Sequence, residues 1–172
     1  MMIFIDGSNL YHGLKDFVGR TDVDLGKLAQ KLAQDRELVR TYYYNCPVRR
    51  EDGEDRYRRQ QKFFAALKNL PDFEIRLGHL QQDRSGALVE KGVDVSLAVD
   101  MLSRAYKDHY DIAVLVSGDG DFARVLQEVK DLGKKVEVAF FPKCHHLRTA
   151  ADRFILLSED LLRDCWLQKA RG

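Results

Sequence analysis

The chain opens with MMIFIDGSNLYHGL, an apolar run that breaks at Asp6 into Gly7, Ser8 and Asn9. Far along it, AVLVSGDGDF repeats the design: the apolar run ends at Val116 and Ser117, Asp119 and Asp121 follow. A third stretch, EKGVDVSLAVDM, places Asp94 at the start of an apolar helical pattern and Asp100 within it. A carboxylate directly after a buried strand is costly unless something compensates its charge. Several carboxylates gathered at one place repel one another and call for a counterion. Hard divalent cations such as Mg²⁺ or Mn²⁺ prefer oxygen ligands and suit such a set better than zinc does. Two such ions about 3.5–4 Å apart can activate a water and stabilise the leaving oxygen of a phosphodiester. The candidate metal ligands are therefore Asp6, Asp94, Asp119 and Asp121.

Each motif alone has a plainer reading. Asp6 could cap a helix or close an Asx-turn, and SGDGDF could be a turn leading into a cap. Their joint placement is what favours chemistry, and it depends on the elements around them. Residues 2–5 read as a short buried strand, followed by a helix over 10–17 with Ser8 or Asn9 near its cap. Asp24 can cap a second helix carrying Leu25, Leu28, Ala29 and Leu32 on one face. Residues 38–44 are rich in strand formers, 49–55 form a charged loop, and 56–70 are helical up to Pro71. Residues 73–80 alternate as a strand does, 81–86 are a polar turn, and 87–90 are a short return strand. Then come a helix over 93–106, a buried strand over 111–116, a helix over 121–132 and a strand over 135–141. Residues 154–157 form an edge strand, and Ser158 caps a final helix.

Strands alternating with helices predict an α/β domain with a mostly parallel sheet and helices on both faces. In an open parallel sheet, ligands bind beyond the carboxyl ends of the strands, so Asp6, Asp119 and Asp121 share one rim. Gly7, Gly118 and Gly120 are expected to allow tight turns there. Asp100 stands six residues after Asp94, about 120° away around a helix, and either reaches the rim or serves a structural ion pair.

With 172 residues, 45% apolar and 32% charged, the chain reads as one soluble globular domain spanning 1–172. The net charge of +1 excludes nothing about partners, so any attraction to nucleic acid must come from local patches. Three widely spaced cysteines, Cys46, Cys144 and Cys165, make no disulfide framework and fit a reducing cytoplasm. Cys144, His145 and His146 adjoin one another, but the spacing matches no usual zinc pattern and reads as an ordinary loop. No stretch is apolar enough for a membrane span, and the first residues do not read as a signal peptide.

FIDGSNLYHGL, EKGVDVSLAVDML, VLVSGDGDF, GKKVEVAFF and LRTAADRFILL, in this order, resemble the NYN domain of the LabA-like group, formerly DUF88. The resemblance covers nearly the whole chain. The family is similar to PIN domains, which implies a three-layer α/β/α fold and a metal-dependent ribonuclease site of clustered acids. By position, Asp6 matches the first catalytic aspartate and Asn9 the asparagine beside it. Asp94 matches the central acid, and Asp119 and Asp121 match the acids after the fourth strand, with Ser117 next to them. Asn9 and Ser117 would orient ligands or water.

A nuclease must also hold a polyanion. VRREDGEDRYRRQQKFF contains Arg49, Arg50, Arg56, Arg58, Arg59 and Lys62, with Tyr57 and Phe63 interleaved; these basic side chains, Arg49, Arg56 and Arg59 foremost, could hold phosphates, although its acids also fit a solvated helix. Lys91, near Asp94, is a further candidate; His145, His146 and Arg148 lie in a loop after a strand and could reach the rim too, although an ordinary solvated loop is the stronger reading. The resulting expectation is a cytoplasmic, Mg²⁺- or Mn²⁺-dependent nuclease acting on RNA, with homodimerisation left open. The alternatives are a non-catalytic RNA- or protein-binding module on the same fold and a phosphatase-like domain using one aspartate as nucleophile. Asp6 lacks the acidic neighbour usual for the last of these, since Gly7, Ser8 and Asn9 follow it.

Overall fold

The computed structural model describes residues 1–82, 88–142 and 145–168. Its strands are β1 (Met2–Asp6), β2 (Arg40–Asn45), β3 (Phe73–Leu77), β4 (His79–Gln82), β5 (Leu88–Lys91), β6 (Ile112–Val116), β7 (Lys135–Phe140) and β8 (Arg153–Leu156). Its α-helices are α1 (Gly7–Phe17), α2 (Leu25–Ala33), α3 (Glu54–Lys68), α4 (Val93–Tyr106), α5 (Ala123–Asp131), α6 (His145–Ala150) and α7 (Glu159–Leu162). Six strands form one sheet in the order β3-β2-β1-β6-β7-β8, and every neighbouring pair is parallel. The remaining two, β4 and β5, pair antiparallel in a separate hairpin.

Side-chain alternation along β2 exposes the three layers. On one face, Tyr44 donates its hydroxyl to Asp100 of α4 at 2.8 Å, and the Arg104 guanidinium lies 4.3 Å over the Tyr42 ring. On the other face, the Tyr43 ring meets Phe63 of α3 edge-on at 5.5 Å. Helices therefore cover both faces of the sheet, as the alternation of strands and helices predicts. With both faces covered, the central strands must be apolar throughout. Every residue of β1 is buried, and Ala113 to Val116 of β6 are fully so.

Three local expectations change. The alternating run 73–80 is not one strand: it breaks at Gly78, and the chain leaves the main sheet for the hairpin. A side chain at Gly78 would stand 2.6 Å from the Lys91 carbonyl oxygen, so the crossing of the two segments requires glycine there. Helix α1 starts at Gly7 and is capped by Asp6, not by Ser8 or Asn9. The segment after β7, expected as a loop, forms α6 from His145 onward; Cys144 lies outside the described residues. Asp24 and Ser158 cap α2 and α7 as expected. No helix among the described residues is long and apolar enough to cross a membrane.

Candidate active site

The strand order reverses between β1 and β6. From β1 the chain works outward through β2 to β3, and from β6 it works the opposite way through β7 to β8. Connections on the two sides diverge at this point and leave a crevice beyond the strand ends. Asp6 is the last residue of β1, and Ser117 directly follows the last residue of β6. A cleft of roughly 420 Å³ opens there, with Asp6, Asn9, Asp94, Gly118 and Asp119 in its wall. Asp94 arrives from the first turn of α4. The exposed Asp121 does not line the cleft, but its charge acts on Asp94.

Hydrogen bonds tie the two strand ends into one frame. Asp6 accepts from the Asn9 backbone N–H at 3.0 Å and from the Ser117 hydroxyl at 3.1 Å. The Ser117 Oγ in turn accepts from the Asp119 N–H at 3.1 Å. The Asn9 side-chain carbonyl accepts from the Gly118 N–H at 3.0 Å. Asp119 caps the short 3₁₀ turn that follows, accepting from the Asp121 N–H at 3.0 Å. Asn9 and Ser117 therefore brace the carboxylates, and Ser117 is itself fully buried.

The glycines act differently from the turn expectation. Neither Gly7, Gly118 nor Gly120 has a positive φ. A Cβ on Gly7 would lie 2.3 Å from the Tyr43 ring, and one on Gly118 would lie 2.1 Å from the Phe140 ring. Glycine at these two positions permits aromatic side chains to press against the strand ends. Gly120 has room, with His146 of α6 the nearest group at 3.5 Å.

The electrostatics are those of an uncompensated acid cluster. Asp6 is only 4% exposed, and its carboxyl is pushed up to about 6. Burial is the main cause; the charges of Asp94 and Asp119 add to it, against the two hydrogen bonds it accepts. Asp94 is also raised, first by burial and then by Asp119 and Asp121. Among the described residues, no lysine or arginine pairs with Asp6, Asp94, Asp119 or Asp121. Nor do any three His, Cys, Asp or Glu among them enclose a common point as a ready-made ion cage.

Asp100 belongs elsewhere. It accepts from Tyr44 and from Arg104 (2.5 Å), and Arg76 stands 3.7 Å away. Its place is a structural ion network between α4 and the sheet. We expect Asp100→Asn to lower stability by about 1–3 kcal/mol in urea denaturation, because Arg104 is then left half-paired and poorly solvated. Manganese affinity, read by titration calorimetry, should stay at the wild-type value.

The basic segment divides as well. Arg49 pairs with Asp52 at 3.3 Å, and Arg50 and Arg58 both pair with Glu54. Arg56, Arg59 and Lys91 are exposed and make no ion pair among the described residues. Sequence reading missed Ser8, His12 and Asp16, which line the cleft from α1. Their spacing of four residues was the available signal, since it stacks them on one helical stripe facing the rim.

Comparison with known proteins bears on the family and the fold. The NYN domain matches residues 1–158. The low amplitude and bright protein LabA of Synechococcus elongatus is 26% identical over 179 aligned positions, covering 92% of this chain and 84% of LabA. A crystal structure of a protein of unknown function from Vibrio parahaemolyticus superposes with a TM-score of 0.75 at 25% identity, covering 92% of this chain and 93% of that one. By the match over 1–158 and the shared α/β architecture, the chain belongs to the NYN domain family.

Proposed function

We propose that the protein is a divalent-metal-dependent ribonuclease whose site is the cleft between the ends of β1 and β6. The observation that carries this reading is Asp6: a carboxylate buried at the sheet's switch point, beside Asp94 and Asp119, with no basic partner among the described residues. A fold tolerates that arrangement when a cation completes it. The donor set is all oxygen, which fits Mg²⁺ or Mn²⁺. Mg²⁺ usually keeps several of its waters and takes only one or two carboxylates, so an open set without a protein cage suits it. Asp6, Asp94 and Asp119 would hold the metal, with Asp121 at the margin. When bound, the ion supplies Lewis-acid stabilisation of phosphoryl charge and lowers the pKa of water.

The chain's own residues then have distinct tasks. Asn9 and Ser117 hold Asp6 and the 118–119 backbone in register, so the carboxylates need no rearrangement when substrate arrives. Exposed Arg56, Arg59 and Lys91 would draw in the RNA backbone by charge, with Arg49 a weaker contributor because its acids compete for it. Cys46 and Cys165, both buried, are thiols and not disulfides, which accords with a cytoplasmic setting.

The test is incubation of labelled RNAs and DNAs with Mn²⁺, Mg²⁺ or EDTA. Cleavage of RNA with metal and none with EDTA supports the reading. The second reading is a non-catalytic RNA-binding module, favoured by the lack of an ion cage among the described residues; it expects binding in all three conditions and cleavage in none. Substrate holding is checked separately. Replacing Arg56 and Arg59 together by alanine should weaken RNA binding and flatten its salt dependence, by up to about 0.7 in slope per lost contact. Turnover at saturating RNA should change little, because the carboxylates are untouched.

A further inference from the structure

Helix α4 turns two of its three charged residues inward. Asp100 and Arg104 face the sheet, with side chains only 20% and 14% exposed, while Asp94 stands in the first turn at the cleft. Its outer face carries Val95, Val99 and Tyr106, which are 67%, 57% and 80% exposed, with Leu102 half-buried between them. Soluble helices normally place polar groups outward, and a contiguous apolar stripe left outside marks an interaction site. The other large exposed apolar residues, such as Tyr11, Val39, Leu132 and Leu156, are scattered over α1, β8 and connecting segments.

We propose that α4 forms the two-fold interface of a homodimer, packed antiparallel on α4 of a second copy. The spacing of Val95, Val99, Leu102 and Tyr106 is four, three and four residues, the repeat of a helix–helix seam. The stripe is symmetric about the midpoint between Val99 and Leu102. A two-fold axis there sets Val95 against the partner's Tyr106, and Val99 against the partner's Leu102. Each large ring then meets a small branched side chain, as knobs-into-holes packing requires. The stripe's flanks are Ser96, Ala98 and Ser103, small and uncharged, so two identical faces approach without like-charge repulsion. A single helix pair of this length buries on the order of 1,000 Å², the lower limit for specific association, so the dimer is weak and concentration-dependent. The interface is isologous and closes on itself. It does not depend on the nuclease reading.

The test is sedimentation velocity of the intact chain from low to several hundred micromolar. The wild type should pass from monomer to dimer across that range. Val99→Glu places like charges beside the axis and should weaken association by about a hundredfold. Because Val99 is exposed, the variant should melt at the wild-type temperature. Orientation is read by oxidative cross-linking, with wild type as the background for native cysteines. Val95→Cys protein mixed with Tyr106→Cys protein should yield the mixed covalent dimer, and Val95→Cys alone should not cross-link above background. A wild type that stays monomeric throughout, or a Val99→Glu protein that dimerises unchanged, overturns the proposal. Cross-linking of Val95→Cys to itself overturns the antiparallel register.

Discussion

Asp6→Asn is expected to reduce RNA cleavage by roughly a hundredfold or more while making the metal-free protein more stable. Groups that merely orient a metal ligand already cost about 10–100-fold when removed, so loss of a ligand's charge should cost at least that. The stability gain follows from the burial of the same charge. Asp6 has its carboxyl raised from 3.8 to about 6 in the folded chain. Between those values the folded protein holds a proton that the unfolded chain has released, so stability falls as pH rises through that window. Above pH 6 the penalty is fully present, about 3 kcal/mol at the linkage value of 1.36 kcal/mol per pKa unit. Asparagine carries no charge to bury. Its side-chain oxygen can still accept from the Asn9 N–H, and its amide can donate to the Ser117 oxygen, so α1 keeps its cap.

The measurement is urea denaturation at pH 4.5 and 7.5, with and without Mn²⁺, beside a cleavage assay. Wild type should be weakest at pH 7.5 without metal and should gain stability on adding Mn²⁺, because a ligand that binds only the folded state stabilises it. Asp6→Asn should lose most of its pH dependence between 4 and 6 and gain little from Mn²⁺. A variant that cuts RNA at the wild-type rate would end the proposed mechanism.

Gly118→Ala should be the most damaging single methyl in the site. Its Cβ would sit 2.1 Å from the Phe140 ring, which packs edge-on against Phe141 at 5.1 Å, which in turn stacks on Phe17 at 5.3 Å. A ring held this way cannot swing aside freely, so the backbone must move instead. We expect a loss of about 3 kcal/mol, at the upper end for overpacking. The movement also pulls the Gly118 N–H from the Asn9 side chain and loosens the two strand ends, so cleavage should fall along with stability. Phe140→Leu in the same protein should restore part of both, with a coupling of about 1–3 kcal/mol in a double-mutant cycle. Gly120→Ala is the matched control: its nearest neighbour is the His146 side chain at an ordinary 3.5 Å, and it should change stability by about 0.5 kcal/mol or less. Equal losses in Gly118→Ala and Gly120→Ala would refute the steric account.

Much of this protein was legible from local pattern. The apolar run into Asp6, the apolar run into Ser117 and the helix opened by Asp94 each announce an element end through residue type alone, and the rim follows from alternating strands and helices. The α4 boundaries, 93–106, could be read directly because apolar spacing and breakers agree there. Local pattern put Asp94 among the site acids but left Asp100, on the same helix, undecided between the rim and the structural pairing that Tyr44 and Arg104 give it. Both are aspartates in an apolar helix, and their fates differ because they point about 120° apart and Asp100 meets Tyr44 of β2 and Arg104 one turn further along α4. Nor did it separate Arg49, taken up by Asp52, from Arg56 and Arg59, since which acids reach which bases depends on where the chain turns around Gly53. The glycines carry the same lesson. The sequence alone established that side chains are missing at positions 7 and 118; only the packed aromatic rings of Tyr43 and Phe140, brought from β2 and β7, decided why. Local types set element ends because caps and periodicity act over a few residues. Partners come from strands and helices far apart in the chain, and sheet order, a property of the whole fold, chooses among them.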